Sequence, residues 1–302
     1  MASPRIAFRA DPLRRVMGVW ARRTAESLFA VLFPSDCRIC GVPLVRVSRL
    51  PLCQVCLNAM HPISGTVCTL CGERLFSSFV VAGPQGEVRC GLCRRLEPVF
   101  ARAIAYGSYE NGLRELIHLL KYEGVRPAAN VLGCMLAEAI LALESDLPAD
   151  SIAVIPVPLH RNKRRQRGFN QAELIARAAI KINPSQRLHL HAVLERTRDT
   201  ASQVSLTNHQ RRENLRGAFA VTLPEAIKGR EVLVVDDVYT TGATVSECAR
   251  VLRRAGATKV WVATVARTLK VSSQYVQIRS GDAAEEQSLY AQEGPLARAA
   301  GL

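Results

Sequence analysis

Apolar residues recur along this chain in two rhythms, and the change from one to the other marks out strands alternating with helices. Ala103-Ile104-Ala105-Tyr106 reads as a strand, and Tyr109 to Lys121 places Leu113, Leu116, Ile117 and Leu120 at helical spacing. A helix over about Ala128 to Leu143, a buried strand over Ser151 to Val157 and a helix over Ala172 to Lys181 follow. Val232 to Val235 then predicts a strand, Thr244 starts a helix through Ala249, Val251 and Leu252, and Lys259 to Val265 supplies the last strand. The strands are continuous apolar runs, as in a parallel sheet covered on both faces. Strands alternating with helices predict an α/β domain over residues 101–268.

The richest chemistry lies in Val232-Leu233-Val234-Val235-Asp236-Asp237-Val238-Tyr239-Thr240-Thr241-Gly242-Ala243-Thr244. The carboxyl end of a central parallel strand opens onto a ligand crevice. There Asp236 and Asp237 offer adjacent acceptors for the two hydroxyls of a ribose. Thr240, Thr241, Gly242, Ala243 and Thr244 form a small, hydroxyl-bearing turn into a helix, whose free N–H groups and positive dipole end suit a phosphate dianion. The alternative, an ordinary strand-turn-helix with an acidic turn, needs the apolar run, the double acid and the Thr-rich loop to coincide by chance. The segment resembles the 5-phosphoribosyl-1-pyrophosphate (PRPP) motif of type I phosphoribosyltransferases.

A second feature sits behind the strand that ends at Pro156-Val157-Pro158-Leu159-His160. Arg161, Lys163, Arg164, Arg165 and Arg167 follow as a basic loop. In a phosphoribosyltransferase such a loop faces the pyrophosphate, whose charge calls for Arg and Lys donors. A solvated loop and a nucleic-acid contact are the other readings. Between the two ligand strands, the polar stretch through Leu194, Arg196, Thr200, Gln203, Leu206, Arg211, Arg212, Asn214, Gly217, Ala218 and Phe219 has the length and polarity of a mobile cover that excludes water.

Eight of the ten cysteines fall into four Cys-x-x-Cys pairs, Cys37/Cys40, Cys53/Cys56, Cys68/Cys71 and Cys90/Cys93. Each pair can supply two thiolates to a tetrahedral zinc, so four pairs predict two structural zinc sites and a double zinc ribbon over residues 36–97. Consecutive pairing is the simplest arrangement; an interleaved one satisfies the spacing equally well. Disulfides need an oxidising compartment, and a redox motif needs one pair at a helix start. Four sulfur ligands leave no open position, which argues against catalysis by the zinc. Cys134 and Cys248 lie alone in helical patterns and are expected to be buried packing residues.

The net charge of +14 is divided as +7 on residues 1–100, +8 on 101–267 and −1 on 268–302. The excess therefore lies on the parts expected to fold and favours a polyanion, either PRPP or a nucleic acid strand. No stretch reaches the roughly 20 apolar residues of a membrane span, and no continuous apolar block opens the chain, so a cytoplasmic protein is expected. Leu13 to Phe33, within a lead segment 1–35, can be drawn as an amphipathic helix with Arg14, Arg15, Arg22 and Arg23 flanking. Packing or partner contact is favoured for it over peripheral contact with an anionic membrane. Residues 269–302, rich in Ser, Gln, Ala and Glu, read as a flexible tail.

Taken together, the four cysteine pairs, the Tyr109 to Tyr122 segment, Pro156 to Leu159 with Arg167 to Gln171, the Thr200, Gln203, Arg211 or Arg212, Asn214 pattern and the PRPP motif resemble the ComF/GntX family. The resemblance covers about residues 28–268. It implies a type I phosphoribosyltransferase fold with an amino-terminal double zinc ribbon, and for some members a part in bringing single-stranded DNA into the cytoplasm beside a helicase-like motor. By that resemblance Asp236 and Asp237 hold the ribose with Mg2+ bridging it to the pyrophosphate. Thr240, Thr241, Gly242, Ala243 and Thr244 hold the 5-phosphate, and Arg164 and Arg167 meet the leaving pyrophosphate. A single-stranded DNA-binding or adaptor protein, and a PRPP sensor without turnover, are alternatives the residues leave open. With aromatics at only 5%, base stacking has little to work with, whereas the positive charge suffices for backbone attraction.

Overall fold

A computed structural model describes residues 35–44, 49–75, 87–183, 185–199 and 208–269. The predicted lead helix over Leu13 to Phe33, Thr200, Gln203, Leu206 and nearly all of the predicted tail lie outside the described residues.

Five strands make one parallel sheet: β1 (Arg102–Ser108), β2 (Ile152–Pro156), β3 (Leu188–Leu190), β6 (Glu231–Tyr239) and β7 (Lys259–Arg267), in the order β1-β7-β6-β2-β3. The apolar runs of the three inner strands, β2, β6 and β7, are buried on both faces because helices cover both. Two short helices, α1 (Gln54–Asn58) and α2 (Gly91–Arg95), belong to the cysteine-rich segment. On one face of the sheet α4 (Ala128–Leu141) packs against α6 (Gln171–Ile182), and α3 (Asn111–Tyr122) packs beside α4. On the other lie α8 (Ala243–Arg254) and α7 (Asn208–Leu215). The two short strands β4 (Leu194–Arg196) and β5 (Phe219–Val221) form a separate antiparallel pair.

Strand order decides where a ligand can sit. The chain leaves β2 through α6 toward β3, and leaves β6 through α8 toward β7, so the two crossovers depart to opposite sides of the sheet. β2 and β6 are neighbours, and the crevice beyond their carboxyl ends is the switch point at which open α/β sheets bind ligands.

β6 runs longer than its apolar core predicts. It continues through Asp236 and Asp237 to Tyr239, since β7 extends alongside and pairs Asp236 with Thr264, Val238 with Ala266 and Tyr239 with Arg267. The acid pair thus belongs to the last turn of a ladder instead of to the loop beyond it. The basic run also differs from expectation: Arg161–Arg167 forms a short helix, α5, ended by Gly168 at φ +78°. Cys248 is buried as expected, but Cys134 is exposed, because α4 turns Leu132, Met135 and Leu136 inward and leaves position 134 outside.

The cysteine-rich segment is welded to this body. Cys37, Leu50, Leu52 and Met60 share a core with Leu113, Leu116 and Leu120, whereas Cys68, Cys71, Cys90 and Cys93 share one with Phe100, Tyr239 and Ala243. Ile63 N donates to Tyr106 O at 2.7 Å and Ala103 N to Leu70 O at 2.7 Å, tying the segment to β1.

Candidate functional site

The four cysteine pairs converge as two quartets, Cys37/Cys40/Cys53/Cys56 and Cys68/Cys71/Cys90/Cys93, with the sulfurs of each quartet within 4.8 Å of one another. Consecutive pairs therefore close each site. A tetrahedral zinc with Zn–S bonds of about 2.3 Å requires S···S edges of about 3.8 Å. Cys40 to Cys53 and Cys71 to Cys90 each span 3.7 Å, so the residues present fit the ion. The knuckle turns aim amides at sulfur: Cys53 N donates to Cys37 Sγ at 3.3 Å, Cys56 N to Cys53 Sγ at 3.4 Å and Cys93 N to Cys90 Sγ at 3.5 Å. For Cys37 burial pushes the thiol up, but the amides of Cys53, Cys40 and Ile39 outweigh it and bring it down to about 6, which favours the ligating thiolate. The second quartet is wholly buried; the first is partly open, with Cys40 exposed. These are structural zinc sites.

At the end of β6, Asp236 and Asp237 are both buried. Burial first, then the charge of Asp237, hold the Asp236 carboxyl well above the usual carboxylate range. Asp236 Oδ1 accepts from Asp237 N at 2.9 Å and Asp237 Oδ1 from Val238 N at 2.9 Å. Asp237 Oδ2 is ion-paired with Lys121 Nζ, whose side chain is only 16% exposed. Desolvation alone would depress the Lys121 ammonium, yet the charge and hydrogen bonding of Asp237 and the charge of Asp236 overcome it and raise its pKa.

No role for Lys121 follows from motif reading, although a signal was present. Leu113, Ile117 and Lys121 stand four residues apart, which puts a lysine on the apolar stripe of α3. Arg196, stacked over Phe219 at 5.6 Å, adds a second positive charge that acts on Asp236. The acid pair is thus flanked by cations from α3 and β4. The Mg2+ expected to bridge ribose and pyrophosphate would find no free ligand in Asp237 Oδ2, which the ammonium already holds.

The turn from β6 to α8 places Thr240 exposed and Thr241 and Thr244 half-buried. Gly242 caps the helix at φ +78°, and a Cβ there would lie 2.2 Å from the Tyr239 hydroxyl, so only glycine allows the loop to close onto that ring. Ala243 N donates to Thr241 Oγ1 at a long 3.4 Å. The amides of Thr241, Gly242 and Thr244 have no protein acceptor among the described residues. Tyr239 in turn is covered by the Arg267 guanidinium, 4.4 Å from its ring centroid. Arg267 reaches Glu73 Oε2 at 2.6 Å and donates to Cys71 O. A buried chain of contacts therefore joins the second cysteine quartet to the loop.

Beyond β2, α5 exposes Arg161, Lys163, Arg164 and Arg165. Arg167 points back to the body, donating to Gln171 Oε1 and lying 5.8 Å from the ring of Tyr122, next to Lys121. Arg164 comes within 3.8 Å of Glu173 and its side chain is 64% exposed. Asn170 ties the segment down by donating to Val157 O at 3.0 Å and accepting from Ala172 N at 3.1 Å as the cap of α6. The expected cover is anchored at its carboxyl end: Leu215, Ala218 and Phe219 are buried, and Gly217 N donates to Glu247 Oε1 at 2.7 Å.

Comparison with known proteins agrees with this geometry. A family model for the phosphoribosyl transferase domain matches residues 168–283, and one for the double zinc ribbon domain matches residues 28–95. The chain is 33% identical to the DNA utilization protein YhgH of Escherichia coli O157:H7 over 240 residues, covering 78% of this chain and 98% of that protein. It is 29% identical to Competence protein F of Haemophilus influenzae over 226 residues, 71% of this chain and 96% of that one. It is 24% identical to Competence protein ComFC of Bacillus subtilis over 212 residues, 68% and 79% respectively. With a parallel sheet whose switch point faces an acid pair and an open helix end, preceded by two four-cysteine zinc centres, the chain belongs to the ComF/GntX family of phosphoribosyltransferase-fold proteins with an amino-terminal double zinc ribbon.

Proposed function

We propose that this protein binds PRPP or a related phosphorylated ribose in the crevice between the ends of β2 and β6, and that it serves DNA uptake. One observation carries the reading. The acid pair and the amide-bearing turn of residues 240–244 lie within one strand-to-helix junction, at the point where the sheet reverses its winding. The 5-phosphate sits on the turn, the ribose hydroxyls on Asp236 and Asp237, and the pyrophosphate faces Arg164 and Arg167. In transfer, the acceptor forms a bond to the anomeric carbon as the bond to pyrophosphate breaks and pyrophosphate leaves with the electron pair. The protein's part is positioning and charge stabilisation, and no nucleophilic side chain is required. Relatives named for DNA utilization and competence support the uptake role. The family resemblance adds the expectation of a cytoplasmic place beside a helicase-like motor. Among the described residues no helix is long and apolar enough to cross a membrane.

A second reading rests on α5, four of whose five basic side chains point to solvent: the same face takes single-stranded DNA by its phosphates, without turnover. Calorimetric titration with PRPP, in parallel with DNA binding at several salt concentrations, separates the two. Loss of PRPP binding in Asp236→Ala supports the sugar site. Absence of PRPP binding to the unaltered protein, with DNA binding intact, leaves only the second reading.

A further inference from the structure

The ion pair at the end of β6 changes what the acid pair can hold. Lys121 approaches from α3, not from the ligand loop, and its ammonium sits on Asp237 Oδ2. Their side chains are 16% and 5% exposed, so bulk water does little to screen the contact. Asp237 Oδ2 is buried, and its compensation comes from the Lys121 ammonium. Asp236 lies against Asp237, and the charge of Arg196 also acts on it. Two carboxyl groups thus share a resident cation and stand near a second.

Mg2+ demands near-ideal octahedral oxygen geometry at about 2.0–2.1 Å and favours carboxylates that are free and ionised. Neither condition holds here. Asp237 is engaged, and burial together with its neighbour's charge favours the protonated form of Asp236. A vicinal diol makes different demands. One hydroxyl donates to the Asp237 carboxylate, whose charge Lys121 keeps in place, and the other exchanges a hydrogen bond with the Asp236 carboxyl in either protonation state.

We propose that Lys121 is the built-in cation of the acid pair, a positioning residue that lets the site take the diol of a ribose 5-phosphate with no divalent metal at the carboxylates. The proposal rests on the phosphosugar reading above. It leaves any metal to the substrate's own oxygens, the ribose hydroxyls and the pyrophosphate, so the suitable probe is ribose 5-phosphate, which lacks the pyrophosphate needed to complete that chelate.

The test is calorimetric titration of the full-length zinc-loaded protein with ribose 5-phosphate, once in buffer freed of Mg2+ over a chelating resin before the protein is added and once with Mg2+. The same titrations are made on Lys121→Gln and Lys121→Arg. The unaltered protein is expected to bind equally in both buffers, within about threefold. Lys121→Gln is expected to lose about tenfold or more without Mg2+, the worth of a charge-assisted contact, and to recover part of it with Mg2+. Lys121→Arg, which keeps the charge, is expected to retain metal-free binding. Binding by the unaltered protein only when Mg2+ is present overturns the proposal, as does a Lys121→Gln protein that binds normally without the metal. Should Lys121→Gln fail to fold, the unaltered protein still tests the metal-free binding and Lys121→Arg the role of the charge, loss of metal-free binding in that variant overturning the proposal. Binding in neither buffer overturns the phosphosugar reading itself, and the proposal with it, so the two failures are distinguishable.

Discussion

Two ion pairs join the cysteine-rich module to the sheet domain at the same separation, and burial predicts that they differ widely in worth. Arg267 meets Glu73 at 2.6 Å with side chains 4% and 9% exposed, whereas Arg38 meets Glu123 at 2.6 Å with side chains 50% and 43% exposed. Among the described residues, Glu73→Ala leaves the buried guanidinium with Cys71 O, the Cys71 sulfur at 3.7 Å and the face of Tyr239 to compensate it. Removing one partner of a buried pair costs about 3–5 kcal/mol. The neighbouring thiolate places this case at the lower end. Glu123→Ala breaks an exposed pair, worth less than about 1 kcal/mol. For a domain of this size 1 kcal/mol corresponds to about 2–4 °C, so Glu73→Ala should lower Tm by about 6–12 °C and Glu123→Ala by no more than about 4 °C. Thermal unfolding in zinc-containing buffer measures both. Equal shifts for the two variants, or a smaller one for Glu73→Ala, would refute the claim that burial at the Arg267 junction holds the module in place.

Other expectations follow from the same geometry. A chelator should withdraw zinc in two phases, first from the quartet that includes exposed Cys40 and then from the fully buried quartet, with Cys40→Ser removing the fast phase in a colorimetric release assay; a single phase argues against the difference. Asp236→Asn should raise urea resistance at pH 7 while weakening sugar-phosphate binding. The sign follows from linkage: the native carboxyl is held above its unfolded value, so its contribution to stability is full below the ordinary Asp range and is lost as pH rises through the raised native value. A midpoint at pH 7 unchanged or lowered by the substitution counts against that reading. Gly242→Ala should cost more than about 1 kcal/mol, since a left-handed backbone and a Cβ 2.2 Å from the Tyr239 hydroxyl act together, and it should abolish phosphate binding; retention of both refutes the closed loop. If α5 carries DNA, replacing Arg161, Lys163, Arg164 and Arg165 by Gln should flatten the salt dependence of single-strand affinity by about 0.7 for each phosphate that is no longer neutralised. An unchanged slope places the DNA elsewhere.

Local pattern carried much of this protein. Every predicted strand and most predicted helices stand within a few residues of their expected places, because burial on one face of a helix or both faces of a strand is written as spacing between near neighbours. Cys-x-x-Cys spacing foretold zinc for the same reason: a knuckle is a turn of a few residues, and its amides reach sulfur without help from the rest of the fold. The acid pair and the Thr-rich turn were visible as a strand-to-helix junction.

What only the tertiary structure decided involves residues far apart in the chain. Which cysteine pairs share an ion depended on how the ribbons dock. The length of β6 depended on β7 running beside it, since backbone groups at the end of a strand stay extended only where a partner accepts and donates. Lys121 closes a predicted helix and Arg267 lies just past a predicted strand, and only the fold sets the first on Asp237 and the second on Glu73 and Tyr239. Spacing encodes neighbours a few residues away. A charge placed inside a protein is answered by whichever opposite charge the packing brings to it, and that choice is made in three dimensions.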